Sequence, residues 1–199
     1  MAQITALREQ QKREVRQRLY EVALKLFRRQ GFDTTTVEQI TKETGVAKGT
    51  FFNYFPSKES LLSSFMREET NAMIAGVIKR ESRDARKALR WIAEGLAALG
   101  TLNTDLMLPF AEIKFGDSSL RDQERQHDDE IRKTILGLLE NDRGVDPEWC
   151  RKEGQRFTEI ILANWTGTIH EWRLSGGKMK LRDSLLARLE MLLRLLPVR

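Results

Sequence analysis

Residues 35–60 have the sequence TTVEQITKETGVAKGTFFNYFPSKES, and this stretch decides the fold of the N-terminal part of the chain. Four aromatic residues fall within five positions near its end. In a helix, Phe51 and Phe55 share one face, because side chains four positions apart lie above one another. We therefore expect these two rings to anchor a short helix to the core, whereas Phe52 and Asn53 project away from it.

Turn and cap signals flank this short helix. Thr35, with Glu38 three positions later, matches a capping box that begins a preceding helix. Gly45 supplies the turn between the two helices, since glycine tolerates the backbone conformation that ends a helix. Pro56 disfavours helical geometry at the residue before it, and Ser57 is a good N-cap for the next helix. The sequence thus predicts two short helices joined by a tight turn and followed by a fourth helix.

A longer amphipathic helix precedes this pair and ends at Gly31. Its apolar residues follow the i, i+4, i+7, i+8 spacing of a helix with one buried face. They are Val15, Leu19, Val22, Ala23, Leu26 and Phe27.

Two short helices joined by a glycine turn form a helix-turn-helix, whose second helix enters the DNA major groove. The exposed side chains suit that role. Asn53 can pair with adenine, Lys48 can reach guanine or phosphate, and the hydroxyls of Thr50 and Tyr54 suit phosphate oxygens. An ordinary corner between two helices, without DNA binding, is the alternative at this point.

The remaining sequence also predicts helices, so the fold class is all-α. We expect an N-terminal domain over 1–57, with three helices including the helix-turn-helix, and a helical domain over 58–199 whose first helix, 58–80, links the two. Later helices are expected over 83–99, 104–115 with an interruption at Pro109, 118–141, 147–174 and 178–196.

Composition is that of a water-soluble globular protein, with 40% hydrophobic and 32% charged residues. Of the net charge of +5, residues 1–60 contribute +4, from eleven Lys/Arg against seven Asp/Glu. This local surplus favours a polyanionic partner such as nucleic acid, although a solvated helix face is the alternative. The single Cys150 excludes an intramolecular disulfide framework, and no apolar run approaches a membrane span. We expect a cytoplasmic protein.

Residues 23–62 resemble the N-terminal domain of the TetR/AcrR family of bacterial transcription regulators. The shared features, in order, are a helix ending before Gly31-Phe32, a Thr-Thr-Val helix start, Gly45-Val46, Lys48-Gly49-Thr50, an aromatic run ending in Phe55, and Ser57-Lys58-Glu59.

This resemblance implies a homodimer that binds a palindromic operator through two recognition helices and is released by a small-molecule effector. Carried over by position, the DNA-contacting residues are Thr35, Thr36, Lys48, Gly49, Thr50, Phe52, Asn53, Tyr54 and Lys58. Family members often have Tyr at the position of Phe52, which lacks a hydroxyl, so we expect a sugar or thymine-methyl contact there.

The C-terminal half carries the expected effector and dimer sites. Ligand pockets are mostly apolar, which suggests an apolar or aromatic effector and the lining residues Trp91, Met107, Phe110, Phe115, Trp165 and His170. The last two helices are long and strongly apolar, and fit the dimer that the resemblance implies. The expected interface residues are Ile161, Ala163, Gly167, Leu185, Leu189 and Leu192.

Two other classes of function are considered. An enzyme has little support: residues 127–130, HDDE, offer only His127 and Glu130 one helical turn apart as metal ligands, and a solvated helix face explains them. We expect no cofactor, no metal and no catalytic residues. A helical interaction module without DNA binding is the second alternative.

Overall fold

The computed structural model describes residues 2–116 and 120–197, and this part of the chain contains α-helices and no β-strand, which confirms the all-α prediction. Contacts divide the chain after Met66 into two compact units. The helices are α1 Ala2–Gln30, α2 Val37–Thr44, α3 Lys48–Tyr54, α4 Lys58–Ile78, α5 Ala85–Leu102, α6 Thr104–Gly116, α7 Arg121–Glu140, α8 Pro147–Leu174 and α9 Leu181–Leu193.

Helix α1 buries the apolar face that its sequence spacing predicts, with Leu19, Leu26 and Phe27 inside the first unit. It ends at Gly31, whose φ of +91° lies in the left-handed region that favours glycine. The Gly31 amide donates to the Phe27 carbonyl at 2.9 Å, as expected of a helix end.

The capping box of α2 lies one residue later than the sequence predicts. The N-cap is Thr36: its hydroxyl accepts from the Gln39 amide at 3.2 Å, and the Gln39 side chain accepts from the Thr36 amide at 2.9 Å. Thr35 is fully buried, and its hydroxyl donates to the Gly31 carbonyl at 2.7 Å. The predicted pair of Thr35 and Glu38 is therefore wrong, because Thr35 closes the preceding turn instead.

Helix α4 begins with a reciprocal cap. The Ser60 amide donates to the Ser57 hydroxyl at 3.1 Å, and the Ser57 amide donates to the Ser60 hydroxyl at 3.0 Å. This confirms Ser57 as the N-cap. Leu61 and Leu62 follow directly and are fully buried, so the first turns of α4 belong to the core of the first unit.

In the second unit, α9 packs against both α5 and α8, while α7 packs against α8. Two hydrogen bonds of 2.5 and 2.9 Å join the Arg90 guanidinium on α5 to the Glu190 carboxylate on α9. Asp146 caps α8 and Pro147 is its first residue, as predicted. Helix α6 runs through Pro109, so the predicted interruption is wrong; the proline lies inside the helix and removes one of its backbone hydrogen bonds without ending it.

No helix in the described ranges is long and apolar enough to cross a membrane.

Candidate nucleic-acid interface

Helix α3 is held by two of its aromatic rings. Phe51 and Phe55 are at most 1% exposed, and their ring centroids lie 5.9 Å apart. Phe55 also packs against Tyr20 of α1, at 5.0 Å between centroids. This confirms the two predicted anchors, and it fixes which face of a seven-residue helix points to solvent.

The opposite face of α3 is open. The Phe52 side chain is 44% exposed, although its ring lies only 5.4 Å from that of Phe51 in an edge-to-face arrangement. The other residues of α3 that the resemblance assigns to DNA contacts are exposed or half-buried: Lys48, Gly49, Thr50, Asn53 and Tyr54. A Cβ at Gly49 would meet no atom within 4 Å, so the backbone is open to close approach there.

Lys48 is paired with an acidic neighbour that the sequence analysis missed. Its ammonium donates to the Glu38 carboxylate on α2, and this hydrogen bond holds the pKa of the Glu38 carboxyl below its usual range. Both side chains are exposed, so the pair contributes little to stability. Positions 38 and 48 lie on consecutive helices, and the sequence pattern alone does not set the distance between them.

The two threonines expected at phosphate have different environments. The Thr35 side chain is buried and bonded to Gly31, so it is not available for the predicted contact. Thr36 is exposed at the start of α2. The N-terminus of a helix favours anions, because its first N–H groups point outwards. Of the two, Thr36 has the geometry for a phosphate contact.

Lys58, which the resemblance assigns to a DNA contact, is half-buried and hydrogen-bonded within the chain. Its ammonium donates to the carbonyls of Phe32, Asp33 and Thr35 at 2.9, 3.2 and 3.1 Å. These partners belong to the turn between α1 and α2.

Comparison with known proteins identifies this arrangement. Residues 19–65, which span the helix-turn-helix, match the family described as bacterial regulatory proteins, tetR family. This part of the chain is therefore a helix-turn-helix of the TetR type.

Relatives extend the likeness beyond the TetR-family helix-turn-helix. The crystal structure of FadR from Thermus thermophilus, a TetR-family repressor in complex with lauroyl-CoA, is 25% identical and superimposes with a TM-score of 0.72 over 92% of this chain and 96% of that one. The fatty acid metabolism regulator protein of Bacillus subtilis is 26% identical over 181 residues, covering 86% of this chain and 90% of the relative.

Higher identity is found over shorter lengths. The B. subtilis transcriptional regulator YuxN is 50% identical over 48 residues, and YerO is 41% identical over 51 residues. This chain covers only 16% and 18% of the lengths of these two relatives. The family match is thus to the helix-turn-helix, and the two longer likenesses, at 25% and 26% identity, run through the second unit as well.

The predicted dimer residues divide into two groups. Ile161, Leu185 and Leu189 are completely buried within the single chain, so their prediction as interface residues is wrong. They pack inside the unit because α8, which carries Ile161, lies against α7 and α9, and α9, which carries the two leucines, lies against α5 and α8. Ala163 and Gly167 are exposed and Leu192 is half-buried, and their place in an interface stays a prediction.

The predicted effector residues also differ in how far they are buried. Met107 and Trp165 are buried, whereas Phe110 and His170 are half-buried. Trp91 is half-buried, and its ring lies 4.7 Å from the Arg80 guanidinium and 5.1 Å from the Lys87 ammonium. The side chain of Phe115 lies outside the described residues.

The HDDE segment lies in a charged cluster. His127 is buried, and the Lys114 ammonium donates to Glu124 at 3.1 Å and to Asp128 at 2.8 Å. Burial lowers the pKa of the His127 imidazole, and the Lys114 charge lowers it further. Within the described ranges, no three His, Cys, Asp or Glu side chains come together as a metal site.

Proposed function

We propose that this chain is a transcriptional repressor that binds a palindromic operator as a dimer and is released by a small-molecule effector. The observation that carries the proposal is the division of α3 into a buried face, Phe51 and Phe55, and an open face that bears Lys48 and Asn53. A short helix anchored in this way can lie in the major groove without losing its core contacts.

Each exposed residue has a separate role in this proposal. Asn53 contacts a base edge, while Lys48, Thr36 and Tyr54 contact the phosphate backbone. Phe52 contacts a thymine methyl group or a sugar, since it has no hydroxyl to donate. Lys48 must leave Glu38 to reach the DNA, and the exposed position of that pair makes the exchange inexpensive.

Fluorescence anisotropy with DNA from upstream of its own gene tests the proposal. We expect binding that is specific for one sequence and that weakens steeply between low and high salt, because Lys and Arg release counterions from phosphates. A shuffled duplex of the same composition is the control. Equal affinity for both duplexes, or no affinity for any genomic DNA, would reject the proposal that the protein binds a specific operator.

Two apolar stripes in the second unit support a dimer with a second copy of the chain. Exposed residues follow helical spacing along α8, at Ile160, Ala163, Gly167 and Leu174, and along α9, at Ala187 and Met191, with Leu195 just beyond its end. The Arg188 guanidinium on α9 donates to Thr168 and Glu171 on α8, which ties the two helices together beside the stripes. Small residues at 163 and 167 let a partner helix approach closely, and a Cβ at Gly167 would have open space.

Sedimentation velocity tests the dimer. Met191→Glu places a charge in the α9 stripe and should shift the protein towards a monomer. Leu102→Glu changes an apolar residue that is 81% exposed on α5, outside the stripes, and should leave the dimer unchanged. If the two variants had the same oligomeric state, the proposal that the stripes form the dimer interface would be rejected.

We further propose that the effector is an acyl-CoA. The Thermus relative binds lauroyl-CoA, and the Bacillus relative regulates fatty acid metabolism. In this chain, Trp165 is 98% buried, and its indole Nε1 has no hydrogen-bond acceptor among the described residues. A buried donor without a partner is costly, and a ligand carbonyl such as that of a thioester would satisfy it.

Titration with lauroyl-CoA tests the effector in two ways. It should release the protein from DNA and should raise the melting temperature of the free protein. Trp165→Phe keeps an aromatic side chain, although a smaller one, but removes the N–H, and should weaken lauroyl-CoA binding. Trp172→Phe is the matched control, because the buried indole N–H of Trp172 likewise finds no acceptor in the part of the chain that the structure describes, but this ring packs beneath the turn at Gly177. A parallel titration with free coenzyme A, which lacks the acyl chain, shows whether the protein recognises the acyl chain or the nucleotide.

Release requires that the effector bind a state of the protein with low DNA affinity more tightly than the DNA-bound state. Coupling free energies of about 1–3 kcal/mol are typical. Helix α4 carries residues of both compact units and is the proposed path of this coupling. The proposed site of action is the bacterial cytoplasm, where the operator is accessible.

A further inference from the structure

The ammonium group of Lys58 is surrounded by backbone carbonyls. It donates to Phe32, Asp33 and Thr35, and it lies 4.4 Å from the centre of the Phe32 ring. A lysine ammonium has three N–H donors. All three are used within the first unit, so a phosphate oxygen could bind only by displacing one of these carbonyls.

The three carbonyls belong to one turn, which connects α1 to α2. Within it the Thr35 amide donates to the Phe32 carbonyl at 3.2 Å, so this oxygen accepts both from its own turn and from Lys58. Phe32 is itself buried against Phe27 of α1, at 4.9 Å between ring centroids. The residue that follows the turn is Thr36, the N-cap of α2.

From this geometry we propose that Lys58 is a positioning residue rather than a DNA contact. As the first residue of α4, it holds the turn between α1 and α2 and thereby fixes where α2 begins. Thr36 and the N-terminal amides of α2 then stand at a set place relative to α3. The inference rests on the proposed DNA binding for its effect on affinity, but the clamp itself belongs to the free protein.

The chemistry favours lysine at this position. Hydrogen bonds from a charged donor are stronger than those between neutral groups, and the three ammonium donors point in different directions around one nitrogen. The planar fork of an arginine would not reach three carbonyls of one tight turn in the same way. Lys58→Arg is therefore expected to keep only part of the stabilising effect that Lys58 has on this turn.

The test compares Lys58→Met with Lys48→Met, since methionine keeps most of the side-chain length without the charge. Lys58→Met should lower the melting temperature of the free protein by about 4–8 °C, as expected for the loss of several charge-assisted hydrogen bonds. It should speed amide hydrogen exchange in residues 35–40. Lys48→Met, whose salt bridge is exposed, should leave both measurements unchanged.

DNA binding separates the two roles further. Lys58→Met should weaken operator binding about tenfold while leaving the slope of log K against log salt unchanged, because no phosphate contact is lost. Lys48→Met should flatten that slope by about 0.9 for each phosphate contact that it removes.

An unchanged melting temperature for Lys58→Met, or a flattened salt slope, would overturn the proposal and return Lys58 to the DNA contacts. Failure of the wild-type protein to bind any operator would instead reject the proposed function, and the melting and exchange measurements would still decide whether the clamp exists.

Discussion

Helix α3 and helix α9 both carry dense apolar residues, but they divide them differently between core and surface. In α3, Phe51 is fully buried and its neighbour Phe52 is 44% exposed. In α9, Leu185 and Leu189 are fully buried, and Met191 is 69% exposed. Helix α9 packs against α5 and α8, so its leucines are used within the chain. The difference shows that the number of neighbouring helices decides which apolar face remains for a partner.

The largest expected effect tests the division within α3. Phe51→Ala should lower the free energy of unfolding by about 3–5 kcal/mol, since it leaves a cavity beneath the helix. Phe52→Ala should change it by no more than about 1 kcal/mol, because much of that ring is already in water. Urea denaturation followed by circular dichroism measures both. Similar losses for the two variants would contradict the division into a buried and an open face.

The same comparison can be made in α9. Leu189→Ala should lower the free energy of unfolding by about 2–5 kcal/mol at every protein concentration. Met191→Ala should affect stability only through dimer formation, so its effect should disappear when the protein is diluted into the monomer range. Thermal unfolding across a hundredfold range of protein concentration distinguishes the two. A concentration-independent loss for Met191→Ala would place that side chain in the monomer core.

Asn53 tests whether the open face of α3 recognises sequence. Asn53→Ala should cost about 1–3 kcal/mol of operator affinity and should relax the preference at one base pair of each half-site. Affinities for a panel of single-base operator variants measure this. A uniform loss on every sequence would mean that Asn53 contacts no base.

A smaller effect is expected at His127 in the second unit. Its folded-state pKa is lowered, first by burial and then by the Lys114 charge, while Glu124 and Asp128 oppose the shift and Arg67 adds to it. Below the ordinary pKa of histidine, about 6.5, the unfolded chain binds a proton that the folded chain does not. Stability should therefore fall as the pH decreases through that value.

Urea denaturation at pH 7.5 and pH 5.5 measures the dependence on His127. His127→Gln removes the titrating group and should reduce the loss of stability between the two pH values. An identical loss in the variant and the wild type would assign the pH dependence to the carboxylates around it.

Much of the first unit could be predicted from the sequence because its signals are local. The anchors Phe51 and Phe55, the turn at Gly45 and the cap at Ser57 each depend on residues within a few positions. Prediction was wrong where one side chain had two possible partners. Thr35 resembles an N-cap, but the Gly31 carbonyl accepts from its hydroxyl.

The remaining features depend on distances between helices, which local patterns do not contain. Lys58 and Phe32 are 26 positions apart in the chain, and Lys48 meets Glu38 across a turn. In the second unit, the spacing of Leu185 and Leu189 indicates an apolar face but not whether this face meets another helix of the same chain or a partner.

The division of α3 also has a consequence for how such proteins diverge. Positions 49, 50 and 53 are substitutable without removing either ring that holds the helix, so a gene duplicate could acquire a new operator while its fold stays intact. Because these positions do not anchor the helix, they are suitable for engineering DNA preference. A library confined to them would explore DNA preference, and the surviving variants would retain a common melting temperature.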